Sequence, residues 1–128
     1  MPVPITALYA GILGLVIVLL GTNVTLHRLK CRVMLGDGDN PLLRRVIRMH
    51  GNTIENVPLA IILMGLYELD GGKRLALHIA GIALIAGRLL YVGRLWLNEN
   101  PSPIRATGVA LTWFSIAGLA ILNLWQIR

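Results

Sequence analysis

Arg48, His50, Asn52, Glu55, Asn56 and Pro58 stand together at the head of an otherwise apolar stretch, RMHGNTIENVPLAIILMGLYELDGG. On a helix of 3.6 residues per turn, spacings of four and three put Arg48, Asn52 and Glu55 on one face. That face continues as Leu59, Ile62 and Leu66. Such residues suit a small, polar, anionic ligand. A guanidinium grips a carboxylate with forked hydrogen bonds, and its charge lowers the pKa of a bound thiol. Asparagine offers both donors and acceptors, and a sequestered glutamate accepts from an ammonium or an amide. No nucleophile with a base beside it is visible, and no paired carboxylates or phosphate-binding glycine loop. Chemistry at this cluster would therefore come from a bound cofactor.

The elements that must hold these groups are membrane spans. The chain has 128 residues, is 55% hydrophobic and 14% charged, and has a mean hydropathy of +0.70. A soluble domain carries about 25% charged residues, so the composition is that of an integral membrane protein. Each span needs about 20 apolar residues, which leaves room for four helices and short connections in a single domain over residues 1–128. The spans read as about 5–26, 46–69, 75–97 and 104–125, an all-α, up-down-up-down bundle. A hydrophilic loop from His27 to Arg45 contains the turn GDGDNP, Asp70-Gly71-Gly72-Lys73 forms a tight turn, and Asn98 to Pro103 separates the last two spans. The N-terminus has no Lys or Arg before its apolar run and reads as an uncleaved first span.

The net charge of +6 is no nucleic-acid signal, because the basic residues flank spans or crowd one loop. Arg28, Lys30, Arg32, Arg44 and Arg45 in the first loop, with Arg94 and Arg105 beside the third, outnumber Lys73, Arg74 and Arg128 on the other side. The positive-inside rule then puts the first and third loops in the cytoplasm. Cys31 is the only cysteine, so no internal disulfide forms. His27 and Cys31 are four apart but lack a third ligand, and no metal site is expected.

Depth decides which polar groups can meet. Glu55 and Arg88 each lie nine residues from the cytoplasmic end of their spans, about 13 Å down at 1.5 Å per residue. The second and third spans are antiparallel neighbours, so an ion pair between Glu55 and Arg88 is expected. Arg48, Asn52 and Tyr91 are shallower and would line a polar pocket, which Arg105 could cap.

Arg48-x-x-x-Asn52-x-x-Glu55-x-x-Pro58, followed by Gly87-Arg88-Leu89-Leu90-Tyr91 and Ser102-Pro103-Ile104-Arg105, resembles the MAPEG family, the membrane-associated proteins in eicosanoid and glutathione metabolism. The likeness covers essentially the whole chain, and the wording His50-Gly51-Asn52 looks like the small bacterial branch. It implies a homotrimer in a bacterial inner membrane, with glutathione between subunits and a hydrophobic small-molecule substrate arriving from the lipid. By motif position, Arg48, Asn52, Glu55, Arg88 and Tyr91 would bind glutathione, and Arg105 would stabilise its thiolate. Arg28 matches a basic residue that reaches across the interface, and is the second candidate for thiolate activation. Two positions depart from the eicosanoid-synthesising members: Leu95 and Val109 stand where tyrosines occur. General glutathione transferase or peroxidase activity is the expectation that follows.

Plainer readings accompany these. Arg48, Asn52 and Glu55 would also serve as a structural network between helices, and Arg88 as the partner of Glu55 alone. Tyr91 would serve as a core aromatic, and Arg94 and Arg105 as boundary cations reaching for headgroups. His50 turns away from the Arg48 face towards an interface, and His78 lies in the other half of the membrane. A non-catalytic lipid-binding or scaffold protein of the same family is the main rival. A small cation transporter is the weaker one, because its usual acidic residue is missing from the first span.

Overall fold

The computed structural model describes residues 1–127. Four helices account for most of them: α1 (Pro4–Cys31), α2 (Pro41–Leu69), α3 (Arg74–Leu97) and α4 (Pro103–Gln126). Arg128, assigned above to the basic residues of the far side, lies outside the described residues. Proline opens α1, α2 and α4, where its fixed φ suits the first turn and its missing N–H is no loss. Asn40 caps α2 by accepting from Leu43 N at 3.0 Å, and Ser102 caps α4 by accepting from Ile104 N at 3.2 Å.

The first helix runs five residues beyond its apolar stretch, and α2 begins five residues before its own. The hydrophilic loop expected from His27 to Arg45 therefore shrinks to residues 32–40. Hydropathy marks where hydrocarbon ends, whereas a helix stops only where its last carbonyls find other donors. Here Arg32 turns left-handed (φ 55°), and Val33 N closes onto Arg28 O at 3.1 Å. Three helices, α1, α3 and α4, are long and apolar enough to cross a membrane by length and composition. The other, α2, is of similar length but carries the polar cluster at its head.

Neighbouring helices in sequence pack as neighbours in space, with α3 against α4 the most extensive pairing and no close approach between α1 and α4. One core cluster gathers Tyr9, Leu13, Val57, Met64, Tyr67, Leu77 and Leu84 near the α2–α3 turn. A second, with Leu43, Val46, Met49, Tyr91 and Leu95, lies towards the loop end of the bundle. Between them α3 and α4 cross backbone to backbone. A Cβ on Gly87 would sit 2.7 Å from Gly108 O, and one on Gly108 2.6 Å from Gly87 O. This crossing brings the polar side chains of α3 and α4 within bonding distance.

At the other end, Glu68 of α2 accepts from Ile5 N at 2.9 Å and Thr6 N at 2.7 Å, capping α1 with a carboxylate from the neighbouring helix. The Tyr9 hydroxyl and His78 Nδ1 are bonded at 3.0 Å between α1 and α3. Leu59, Ile62 and Leu66 of α2 are all more than half exposed, so the apolar continuation of the Arg48 face is uncovered in the single chain.

Candidate functional site

Arg48, Asn52, Tyr91 and Arg105 line one cavity of about 400 Å³ at the loop end of the bundle. Arg44, Arg45, Leu95, Glu99 and Val109 complete its wall. The helical repeat explains the convergence. Positions 45, 48 and 52 of α2, 91 and 95 of α3, and 105 and 109 of α4 are spaced by three or four, so each helix offers one stripe to the same space. Arginines gather at the mouth and Asn52 and Tyr91 lie deeper.

Several groups are held in place by the protein. Arg45 Nη1 donates to Trp96 O at 3.1 Å, and Arg105 Nη1 to Glu99 O at 3.2 Å. Both guanidiniums thus lean on the backbone near the α3–α4 connection while keeping further donors free for a ligand. Arg48 pairs with Glu55 at 3.4 Å, each side chain about half exposed. An exposed, loosely spaced pair of this kind contributes little to stability, about 0–1 kcal/mol.

Arg88 does not line the cavity. It is 1% exposed and lies behind Asn52, among α2, α3 and α4. Its Nε and Nη2 donate to Thr112 Oγ1 at 3.1 and 2.7 Å, its Nη1 donates to Asn52 Oδ1, and its guanidinium lies 5.2 Å from the Tyr91 ring centroid. The expected ion pair between Glu55 and Arg88 does not form: Arg88 faces the bundle interior, and Glu55 faces outwards beside Arg48. Equal depth is met, but the two side chains point to different sides of α2.

Arg28 lines an adjoining cavity of about 420 Å³ with Gly36, Asp37, Arg44, Ile47 and Arg48, two of which it shares with the first. Its Nη1 donates to Gly36 O at 2.7 Å and to Val33 O at 3.3 Å, tying the loop to the end of α1. Arg44 Nε donates to Asp37 Oδ2 at 2.7 Å. That bond, helped by the Asp39 N–H, holds the Asp37 carboxyl below its ordinary range. Within one subunit, then, Arg48, Asn52, Tyr91 and Arg105 come together, Arg88 stands behind them, and Arg28 and Glu55 lie to the outside.

The sequence reading passed over Arg44, Arg45 and Glu99 as ligand-facing groups, and Thr112 altogether. Arg45 was open to detection, since it precedes Arg48 and Asn52 by three and seven residues on the same face. Thr112 carried no signal, because a threonine in an apolar helix is ordinary. His50 packs against Gly21 of α1, at the interface its direction predicted.

A membrane-embedded bundle of four helices, with an arginine-lined cavity at one end, defines the class. The chain belongs to the MAPEG family, which it matches over residues 6–125. It is similar to the inner membrane protein YecN of Escherichia coli K12, with 36% identity over 124 residues covering 96% of this chain and 92% of that protein. YecN of Escherichia coli O6:H1 aligns with the same figures. No solved structure matches.

Proposed function

We propose that this protein binds glutathione in the Arg48–Asn52–Tyr91–Arg105 cavity and acts as a glutathione transferase or peroxidase on hydrophobic electrophiles dissolved in the bilayer. The observation that carries this reading is the convergence of these four side chains, from three helices, on one cavity of about 400 Å³. That size falls within the usual range of about 300–1,000 Å³ for small-molecule sites. The donor set also fits the ligand. Glutathione carries two carboxylates and a thiol, and the wall presents four guanidiniums, one amide and a single carboxylate, Glu99.

When bound, glutathione supplies a thiolate that conjugates a carbon electrophile or reduces a peroxide. The protein holds and polarises it. Arg105, anchored on Glu99 O, is positioned to favour the ionised thiol, because a nearby positive charge stabilises the anion more than the neutral group. Arg48 and Arg45 are placed for carboxylates, and Tyr91 supplies a buried flank. The polar ligand enters from water and the apolar substrate from lipid, so the two meet at the membrane surface.

A homotrimer follows from the same reading. Leu59, Ile62 and Leu66 form an exposed apolar stripe below Arg48 and Glu55. Covering it with a second subunit would bring Glu55 and Arg28 to the edge of a shared site. The location that fits is a bacterial inner membrane, as in the name of the relative, with the α1–α2 and α3–α4 loops in the cytoplasm.

Calorimetry on detergent-purified protein tests the reading, with wild type compared with Arg48→Ala and Glu55→Gln. Saturable glutathione binding that is lost in the variants is the expected result. Folded, trimeric wild type that binds no glutathione overturns it. A second reading, binding without turnover, is favoured by the cavity wall: Leu95 and Val109 both line it and offer no hydroxyl to a leaving group. Full affinity with no conjugation of any electrophile tried would select that reading.

A further inference from the structure

Among the described residues, Arg88 is buried without a carboxylate in bonding distance, and every acceptor it meets is neutral. The directions of these bonds are fixed by chemistry. The Thr112 hydroxyl has one proton, directed at Gly108 O at 3.1 Å, so its lone pairs are what Arg88 Nε and Nη2 meet. A guanidinium has donors only. The Asn52 atom facing Arg88 must therefore be the carbonyl oxygen, since the amide nitrogen there would set donor against donor. In the chain Gly108–Thr112–Arg88–Asn52, across α4, α3 and α2, Arg88 donates both ways, to Thr112 on one side and to Asn52 on the other.

The consequence appears on the other side of Asn52. Its oxygen is engaged from behind, and its Nδ2 makes no hydrogen bond within the described residues. Asn52 lines the cavity and Arg88 does not. The geometry points to Arg88 as a positioning residue that locks the Asn52 amide with its donor towards the cavity, so that Asn52 reads an acceptor on the ligand, a carboxylate or a peptide carbonyl. An ammonium is not read there. This inference rests on glutathione being the ligand, and it assigns that ligand's orientation: an oxygen of the peptide meets Asn52, and its amino group lies elsewhere.

Asn52→Asp separates the alternatives. The new carboxylate accepts from Arg88 as well as the amide oxygen did, so the fold is kept, but the donor is gone. Glutathione affinity measured by calorimetry is expected to fall about tenfold or more while the melting temperature holds or rises. Equal or tighter binding by folded Asn52→Asp would mean that position 52 accepts from the ligand ammonium, and overturns the inference while leaving the glutathione reading intact. No binding by wild type overturns the reading and the inference with it. A second arm uses Arg88→Lys and Arg88→Gln. Lysine keeps a donor behind Asn52 and is expected to retain affinity within about threefold, whereas glutamine, donor and acceptor alike, releases the lock and loses about tenfold. Equal affinities in folded Lys and Gln variants would show that Arg88 only fills space. Should Arg88→Gln not fold, Asn52→Asp decides alone.

Discussion

The two ends of the bundle treat their polar groups differently. At the α2–α3 turn, Glu68 gives both oxygens to the N-terminus of α1, and Tyr9 and His78 satisfy each other. At the loop end, among the described residues, Arg45, Arg48 and Arg105 each have one hydrogen-bond partner, and Asn52 has its oxygen bound and its nitrogen open. Closed hydrogen bonding holds helices together; open donors around a cavity wait for something else. The same residue types, arginine, glutamate and asparagine, become structure or site according to whether their valences are filled within the chain.

Four substitutions or titrations break or sharpen that contrast. Glu68→Gln should have the largest effect on stability, about 1.5–3 kcal/mol from weakening two charge-assisted bonds, read as a lower melting temperature with glutathione affinity unchanged. A loss of affinity there would mean the ends are not independent. Arg105→Ala should do the reverse, lowering affinity or thiolate formation about tenfold, which thiolate absorbance at varied pH would record. Its melting temperature should stay near that of wild type, because the residue is only partly buried at a helix start. Tyr9→Phe removes the hydroxyl's two contacts with His78, at Nδ1 and at the backbone oxygen, and should cost about 1 kcal/mol, again without touching ligand affinity. The smallest effect is acid-dependent. Asp37 has a lowered pKa, so the Arg44 tether is fully present above the ordinary value of 3.8 and is lost only as pH falls below it. The Asp39 amide resonance should report that titration, and Asp37→Asn should abolish it.

Much of this was legible in the sequence. The helix count came from apolar lengths and turn residues, whereas Pro41 was read as the end of the turn GDGDNP and the start of α2 at that proline was missed. The cavity residues Arg48, Asn52, Tyr91 and Arg105 came from spacing and depth. What failed was angle. Depth along a span is a count of residues, but the direction a side chain takes depends on how each helix is rotated in the bundle. Glu55 and Arg88 match in the first and differ in the second. The rotation of α3 is set by the Gly87–Gly108 crossing, which turns Arg88 towards Thr112. That pairing is a property of two helices together, and neither helix announces it by itself.

The Glu68 cap also bears on how the chain is made. It joins residues 5 and 6 to residue 68, so both halves of the contact lie in the first hairpin. During synthesis the N-terminal part of a chain emerges and begins to fold before the rest. The tie is unavailable until α2 has been threaded far enough for its end to reach the start of α1, and needs nothing from α3 or α4. Every partner in this tie therefore belongs to the α1–α2 hairpin, and the bonds themselves are complete without the second half of the protein.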